Sequence, residues 1–249
     1  MECKKPGPLT TVQDQGRNGY QKYGMPVAGA MDYFSYKIAN LLVGNNDNAA
    51  VLEFTFQGPE IKFTEDTIIA ITGADAQPSI NGKSVSMWQS IYVEKGSLLS
   101  FSNLKSGFRG YIAIKGGIDV PEVMGSRSTY LRGSLGGFEG RKLKEGDKLE
   151  SLSTVTKDSY IERYLPKKHI PGYSENTIRV ILGPQDDLFT EKGIDQLFCQ
   201  TYKITSQADR MGYRLEGPAI EHKESADIIS DGIAPGSIQI PGHGKPIIM

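Results

Sequence analysis

Three segments of the chain set Asp, Arg or Gln between glycines, where tight turns hold polar side chains close together. The first runs Thr11-Val12-Gln13-Asp14-Gln15-Gly16-Arg17-Asn18-Gly19-Tyr20 and resumes at Gly24-Met25-Pro26-Val27-Ala28-Gly29-Ala30-Met31-Asp32. The second is Ala208-Asp209-Arg210-Met211-Gly212-Tyr213-Arg214-Leu215-Glu216-Gly217-Pro218. The third is Ser230-Asp231-Gly232-Ile233-Ala234-Pro235-Gly236-Ser237-Ile238-Gln239-Ile240-Pro241. Arg brings a bidentate fork for phosphate or carboxylate, and Gln brings donors and an acceptor together. Asp can orient an amide N–H or take a proton. These residue types fit the binding of a small polar amide or carboxylate. They fit equally well surface turns knitted by Asx and Arg hydrogen bonds, and composition leaves both readings open.

Other chemistries find less support. Gly82-Lys83-Ser84 imitates the end of a phosphate-binding loop, but Gln77 stands where that loop needs its first glycine, and the flanks read as strands. The run Gly133-Ser134-Leu135-Gly136-Gly137-Phe138-Glu139-Gly140 lacks dinucleotide spacing and reads as a mobile loop. His169, His222 and His243 are scattered, so no metal site is expected. Neither Cys3 nor Cys199 has a neighbouring His or basic cluster to activate it, and there is no Gly-x-Ser-x-Gly elbow.

The elements that must position these residues are short. Glycine accounts for 29 of 249 residues, about 12% against a usual ~7%, and with 13 prolines it is spread along the chain. That distribution points to many turns between short strands. Strands are expected at Thr67 to Thr72, Ile91 to Val93, Ser97 to Phe101 and Gly110 to Lys115, with Asn81-Gly82 as a two-residue hairpin. Apolar residues at helical spacing predict helices over Asp32 to Gly44, with Asp32 as N-cap, and over Asp186 to Phe198. The fold class is therefore mainly β, with two β-rich halves and a few short covering helices. The first β-rich domain is expected over 1–150, a linker region over 151–176, and a second domain over 177–249 that opens on a strand at Thr177 to Gly183. With 28 Lys+Arg against 29 Asp+Glu, nothing in the charge calls for nucleic acid or an anionic membrane. No apolar run approaches a membrane span, and a cytoplasmic protein is expected.

The polar segments, taken in order with several others, resemble allophanate hydrolase subunit 2, also called the C subunit of 5-oxoprolinase, a group within the biotin-dependent carboxyltransferase-like family. The resemblance spans essentially the whole chain. It is carried by Gly7-Pro8-Leu9-Thr10-Thr11-Val12-Gln13-Asp14, Gly29-Ala30-Met31-Asp32, Ala39-Asn40-Leu41-Leu42-Val43-Gly44-Asn45, Leu52-Glu53 and Thr72-Gly73-Ala74-Asp75. Further matches are Gly116-Gly117-Ile118, Gly125-Ser126-Arg127-Ser128-Thr129, Gly183-Pro184-Gln185, Asp209 to Leu215 and Gly236 to Pro241.

The resemblance implies cyclophilin-like barrel folding in both halves. It implies a subunit, inactive alone, of an ATP-dependent 5-oxoprolinase that opens 5-oxoproline to glutamate. The partners implied are a homologue of the companion allophanate hydrolase subunit 1 (the B-type subunit of 5-oxoprolinase) and a third, A-type subunit, with ATP as substrate of the complex and possible binding elsewhere than on this chain. The alternatives are a urea carboxylase-type carboxyltransferase subunit, for which biotin would come from another carrier, and a regulatory binding protein antagonising a sporulation-kinase inhibitor. Asp209 and Arg210 are the candidate catalytic pair. Asp14, Arg17, Asp32, Arg214, Asp231 and Gln239 are the candidate substrate-binding residues. The apolar run Lys245-Pro246-Ile247-Ile248-Met249 reads as an entering strand with no turn after it, so the second domain is expected to continue past it and to show an open edge near Ile247.

Overall fold

A computed structural model describes residues 1–153, 155–173, 177–229 and 231–249. Ser230 of the third polar segment, and residues 154 and 174–176 of the expected linker, lie outside the described residues. The strands are β1 (Glu2–Lys5), β2 (Leu9–Gln13), β3 (Val51–Thr55), β4 (Glu60–Lys62), β5 (Thr67–Asp75), β6 (Pro78–Ile80), β7 (Lys83–Ser84) and β8 (Ser90–Val93). They continue with β9 (Leu98–Phe101), β10 (Ser106–Ile114), β11 (Ile118–Asp119), β12 (Glu150–Ser151), β13 (Lys203–Ile204), β14 (Tyr213–Glu216), β15 (Ile238–Gln239) and β16 (Ile247–Ile248). Two α-helices, α1 (Tyr33–Val43) and α2 (Glu191–Cys199), complete the regular structure. The chain divides into one unit of Met1–Glu175 and a second of Asn176–Met249.

The first unit is built on two five-stranded antiparallel sheets, ordered β2-β3-β10-β5-β8 and β1-β4-β9-β6-β7. The architecture is mainly β, as the turn-rich sequence requires, and both sheets are open, with linear strand order. Strand β5 explains the layering. Its run Thr67-Ile68-Ile69-Ala70-Ile71-Thr72 is buried throughout, the mark of a strand covered on both faces. Ile69 and Ile71 join Leu52, Phe54, Ile112 and Leu99 in one apolar cluster. The alternate residues Ile68 and Ala70 join Tyr111 and Ala113 against Tyr36, Ala39 and Val43 of α1. Helix α1 starts at Asp32, whose carboxylate accepts from Ser35 N at 3.0 Å, and ends at Gly44 in the left-handed region. The Asn81-Gly82 turn joins β6 to β7 with both residues at positive φ, as a tight hairpin demands.

Several expectations change. Residues 155–165, read as linker, are partly fastened to the first unit: Leu165 N donates to Trp88 O at 2.8 Å and Ser90 N to Arg163 O at 2.8 Å. They cover the open side of β8, which would otherwise present unpaired backbone. The Gly133–Gly140 run is not a loose loop, because Gly137 N is held by Arg127 O and Tyr130 bridges to Leu135. Thr177 to Gly183 forms no strand; it is exposed, with Ile181 at 95%, and no partner strand pairs with it among the described residues. The helix expected over Asp186 to Phe198 is split, a single 3-10 turn at Asp186–Leu188 preceding α2, because Thr190 leaves the helical region to cap Gly193 N at 3.0 Å.

The second unit carries one antiparallel sheet ordered β13-β14-β16-β15. Ile247 pairs with Arg214 on one side and Gln239 on the other, so β16 is an interior strand and the expected open edge near Ile247 is not there. No helix is long and apolar enough to cross a membrane among the described residues.

The two cysteines differ in reactivity. Burial, with Asp147 and Glu145 nearby, pushes the Cys3 thiol up to about 11, whereas Cys199 is exposed. Iodoacetamide at neutral pH is expected to alkylate Cys199 alone in the native protein, and Cys3 only after denaturation, as read by peptide mass spectrometry. Equal labelling of Cys3 under native conditions would mean that β1 opens readily.

Candidate functional site

The first polar segment begins where β2 ends. Its backbone is zipped to residues 126–129, with Thr129 N donating to Val12 O at 3.0 Å and Thr129 Oγ1 to the same oxygen at 2.9 Å. This pairing carries Ser126 and Ser128 to Asp14, which is wholly buried. The Asp14 carboxylate accepts from Ser126 Oγ at 2.7 Å, Gly16 N at 2.8 Å, Arg127 N and Ser128 Oγ. Four internal donors saturate it, so Asp14 holds the loop together.

Arg17 is buried in the same knot. Its Nε donates to Val123 O at 3.1 Å and its Nη2 to Ser128 O, while Nη1 has no partner among the described residues. Burial lowers its guanidinium pKa, and the nearby Asp14 carboxylate pulls the other way. Gly136 is required here: its φ is +65°, and a β-carbon would strike Arg17 Nη2 and the Ser128 carbonyl.

The second part of the segment leads into α1. Ala30 N donates to Asp14 O at 2.9 Å, tying the knot to the helix start. Met31 N then donates to Glu53 Oε2 at 2.9 Å and Asp32 N to Tyr111 Oη at 2.7 Å. Tyr111 in turn donates to Glu53 Oε2 at 2.8 Å. Glu53, 2% exposed on β3, is also 3.5 Å from Arg109 Nη1, which donates to Thr55 Oγ1 at 2.9 Å. The Asp32 carboxylate stays with Ser35, through its N and Oγ. Burial pushes the Tyr111 phenol well above its ordinary range, so it stays a proton donor.

The sequence reading missed Arg109 and Tyr111 and met Glu53 only as part of a matching motif. One signal was available: a carboxylate inside the apolar run Val51-Leu52-Glu53-Phe54 must be buried, and a buried carboxylate needs partners.

In the second unit Asp209 closes a tight turn, with Gly212 N donating to Asp209 O at 3.3 Å and Met211 N to Asp209 Oδ1 at 2.8 Å. Arg210 is half-buried, and desolvation pushes its guanidinium down to about 10, with Tyr213 acting in the opposite direction; it stays charged at neutral pH. Arg214 and Gln239 are exposed and share the register of Ile247, which puts both on one face of the sheet. Asp231 is exposed and accepts from its neighbour Gly232 N at 2.7 Å. Of the predicted residues, the structure therefore groups Asp14 with Arg17, links Asp32 to them through Ala30, places Asp209 next to Arg210 in one turn, and aligns Arg214 with Gln239. No group of three or more His, Cys, Asp or Glu residues could hold a metal ion among the described residues.

Open antiparallel sheets with a buried polar network at the helix start define a mainly β scaffold. The chain belongs to the carboxyltransferase domain family, subdomains A and B, which it matches over residues 23–249. It is 38% identical to the 5-oxoprolinase C subunit of Escherichia coli over 249 residues, all of this chain and 79% of that protein. It is 40% identical to the urea amidolyase of Lachancea kluyveri over 230 residues, 88% of this chain and 13% of that much longer protein. The crystal structure of the K. lactis urea amidolyase superposes with a TM-score of 0.87 at 34% identity, covering the whole of this chain and 16% of that one.

Proposed function

We propose that the chain serves as the C-type subunit of an ATP-dependent 5-oxoprolinase and is inactive alone. The observation that carries this reading is the 38% identity to the Escherichia coli C subunit along the entire chain, with most of that relative's length accounted for. The reaction opens an unstrained lactam. Phosphoryl transfer from ATP to the amide oxygen, releasing ADP, makes the carbonyl carbon attackable. Water adds, the ring C–N bond breaks as the nitrogen takes a proton and leaves as the amine, and a second water hydrolyses the resulting acyl phosphate to glutamate and phosphate. Such a step needs preorganised groups for developing negative charge. Arg210 and Arg214 are suited to an oxyanion, and Asp209 to an amide N–H or a proton. A B-type and an A-type subunit would supply the remainder of the site.

The test is reconstitution with the B-type and A-type subunits, following glutamate formation from 5-oxoproline and ATP. Turnover by the complex and none by this chain alone is expected; robust turnover by the single chain, or none by the full complex, counts against the proposal. In that assay Asp209→Ala or Arg210→Ala should raise the barrier by about 2–4 kcal/mol, lowering turnover more than it lowers stability. Unchanged turnover would leave these residues as turn-formers only.

A second reading, a urea carboxylase-type carboxyltransferase, is favoured by the fold match to the urea amidolyase at TM-score 0.87. These 249 residues contain no Met-Lys-Met, so any biotin would be carried outside them. Urea-dependent consumption of carboxybiotin by the complex would select it.

A further inference from the structure

We propose that the first unit carries a binding site for a small oxyanion, carboxylate or phosphate, at the C-terminal end of α1. This site stands apart from the network at the helix start: eleven residues of α1, roughly 16 Å of helix, separate the two ends. It also stands independently of the function proposed above.

The site is a cavity of about 420 Å³. Lys115 and Arg127 line it together with Asn45, Asn46 and Asn48, while Ala50 and Ile118 give it a small apolar side; no Asp or Glu is among its lining residues. Lys115 Nζ donates to Gly44 O at 2.6 Å, which uses one of its three protons. A third cation, Arg163, lies beside the cavity without lining it. A β-carbon built on Gly44 would lie 2.8 Å from Arg163 Nη1 and 3.3 Å from Lys115 Nζ, so both side chains converge on one point.

The helix end accounts for only part of this charge. Its unpaired carbonyls amount to roughly half a negative charge, and Gly44 N already caps Asn40 O and Leu41 O. Arg127 is drawn 3.2 Å from Glu122, which is not part of the cavity wall. Lys115, half-buried, and Arg163, exposed, therefore leave a net positive rim that favours an anion. The amides of Asn46 and Asn48 offer neutral donors that complete an oxyanion's shell, whereas both amide protons of Asn45 are used internally. The volume and the small apolar side can accommodate a short metabolite carrying such a group.

The arrangement is held by internal bonds. Asn45 Oδ1 accepts from Gly116 N at 2.7 Å, and its Nδ2 donates to Ile114 O at 2.8 Å, fixing the α1 end against the turn after β10. Arg127 N is bound to Asp14, so the cavity wall and the Asp14 knot share one segment.

The experiment is a calorimetric titration of the full chain with glutamate and, separately, with inorganic phosphate, against chloride at matched ionic strength. Saturable binding of at least one of the two oxyanions, absent with chloride, is expected at millimolar concentration or below. Preference for glutamate assigns the site to a carboxylate metabolite; preference for phosphate assigns it to a phosphorylated one. Lys115→Gln should weaken that binding by about tenfold, as should Asn46→Asp, which sets a carboxylate in the wall of the cavity. Asn46 is exposed, so the second variant keeps the test intact if the first does not fold. No saturable binding of either oxyanion, or binding undiminished in every variant that folds, overturns the proposal.

Discussion

Asp14→Ala is expected to destabilise the first unit by about 3–5 kcal/mol, the range found when one member of a buried charged network is removed. The carboxylate accepts from two serine hydroxyls and two backbone N–H groups, and its loss strands all four donors away from water. The adjacent Arg17, wholly buried, loses the nearby charge that favours its protonated form. Urea denaturation followed by tryptophan fluorescence will measure the effect, since Trp88 lies in the same unit. Asp14→Asn should cost less but remain clearly destabilising, because the amide oxygen can keep the donors of Ser126, Ser128 and Gly16 only by setting its own N–H groups against Arg127 N. A residue whose carboxylate served only to hold a substrate would behave differently: the substitution would shift KM and leave the denaturation midpoint within experimental error. That outcome would sink the structural role argued for Asp14.

Glu53→Leu is the second substitution with a large expected effect, again about 3–5 kcal/mol. Leucine fits the volume and suits the strand, so neither a cavity nor β-propensity is at issue. What the change removes is the acceptor for Met31 N and Tyr111 Oη, and the counter-charge 3.5 Å from Arg109. The Arg109 side chain is only 11% exposed, so its charge cannot fall back on full hydration. The double variant Glu53→Leu, Arg109→Leu should recover a good part of the loss, because an apolar pair can replace a buried ion pair at little cost. A double variant as unstable as the sum of the singles would show that the two side chains act separately. Because Glu53 also fixes the chain just before α1, the single variant should loosen the helix start. Hydrogen exchange at Met31 N and Asp32 N reads that locally.

Much of the first unit was legible from residue patterns. The β5 run is apolar on both faces and could only be an interior strand, and Asn81-Gly82 could hardly be anything but a hairpin. Asp32 and Gly44 marked both ends of α1 because each supplies a specific local bond. What escaped was what depends on distant partners. Thr177 to Gly183 has the composition of a strand, yet a strand exists only when another backbone pairs with it, and no local pattern reports that. The same limit applies to the polar residues. Asp14 and Asp32 look alike in sequence, each beside a glycine-rich turn, but three of the four donors to one come from more than a hundred positions away, while the other is held by a neighbour three residues on. Arg109 and Tyr111 were invisible as site residues because an Arg or Tyr in an alternating strand is ordinarily read as facing solvent or filling a core. Only the register of β10 against β3, which pairs Tyr111 with Glu53, brings them to the carboxylate.

The order β13-β14-β16-β15 has a bearing on how the second unit is made. Strand β16 sits between two strands that precede it in the chain, so neither β14 nor β15 can find this neighbour until residues 247–248 have left the ribosome. Until then both carry bare hydrogen-bonding rims on a nascent polypeptide, the state in which strands recruit the wrong neighbours. The sheet is thus completed by insertion, not by addition at its border. Its yield during synthesis depends on how long those rims stay shielded from other copies.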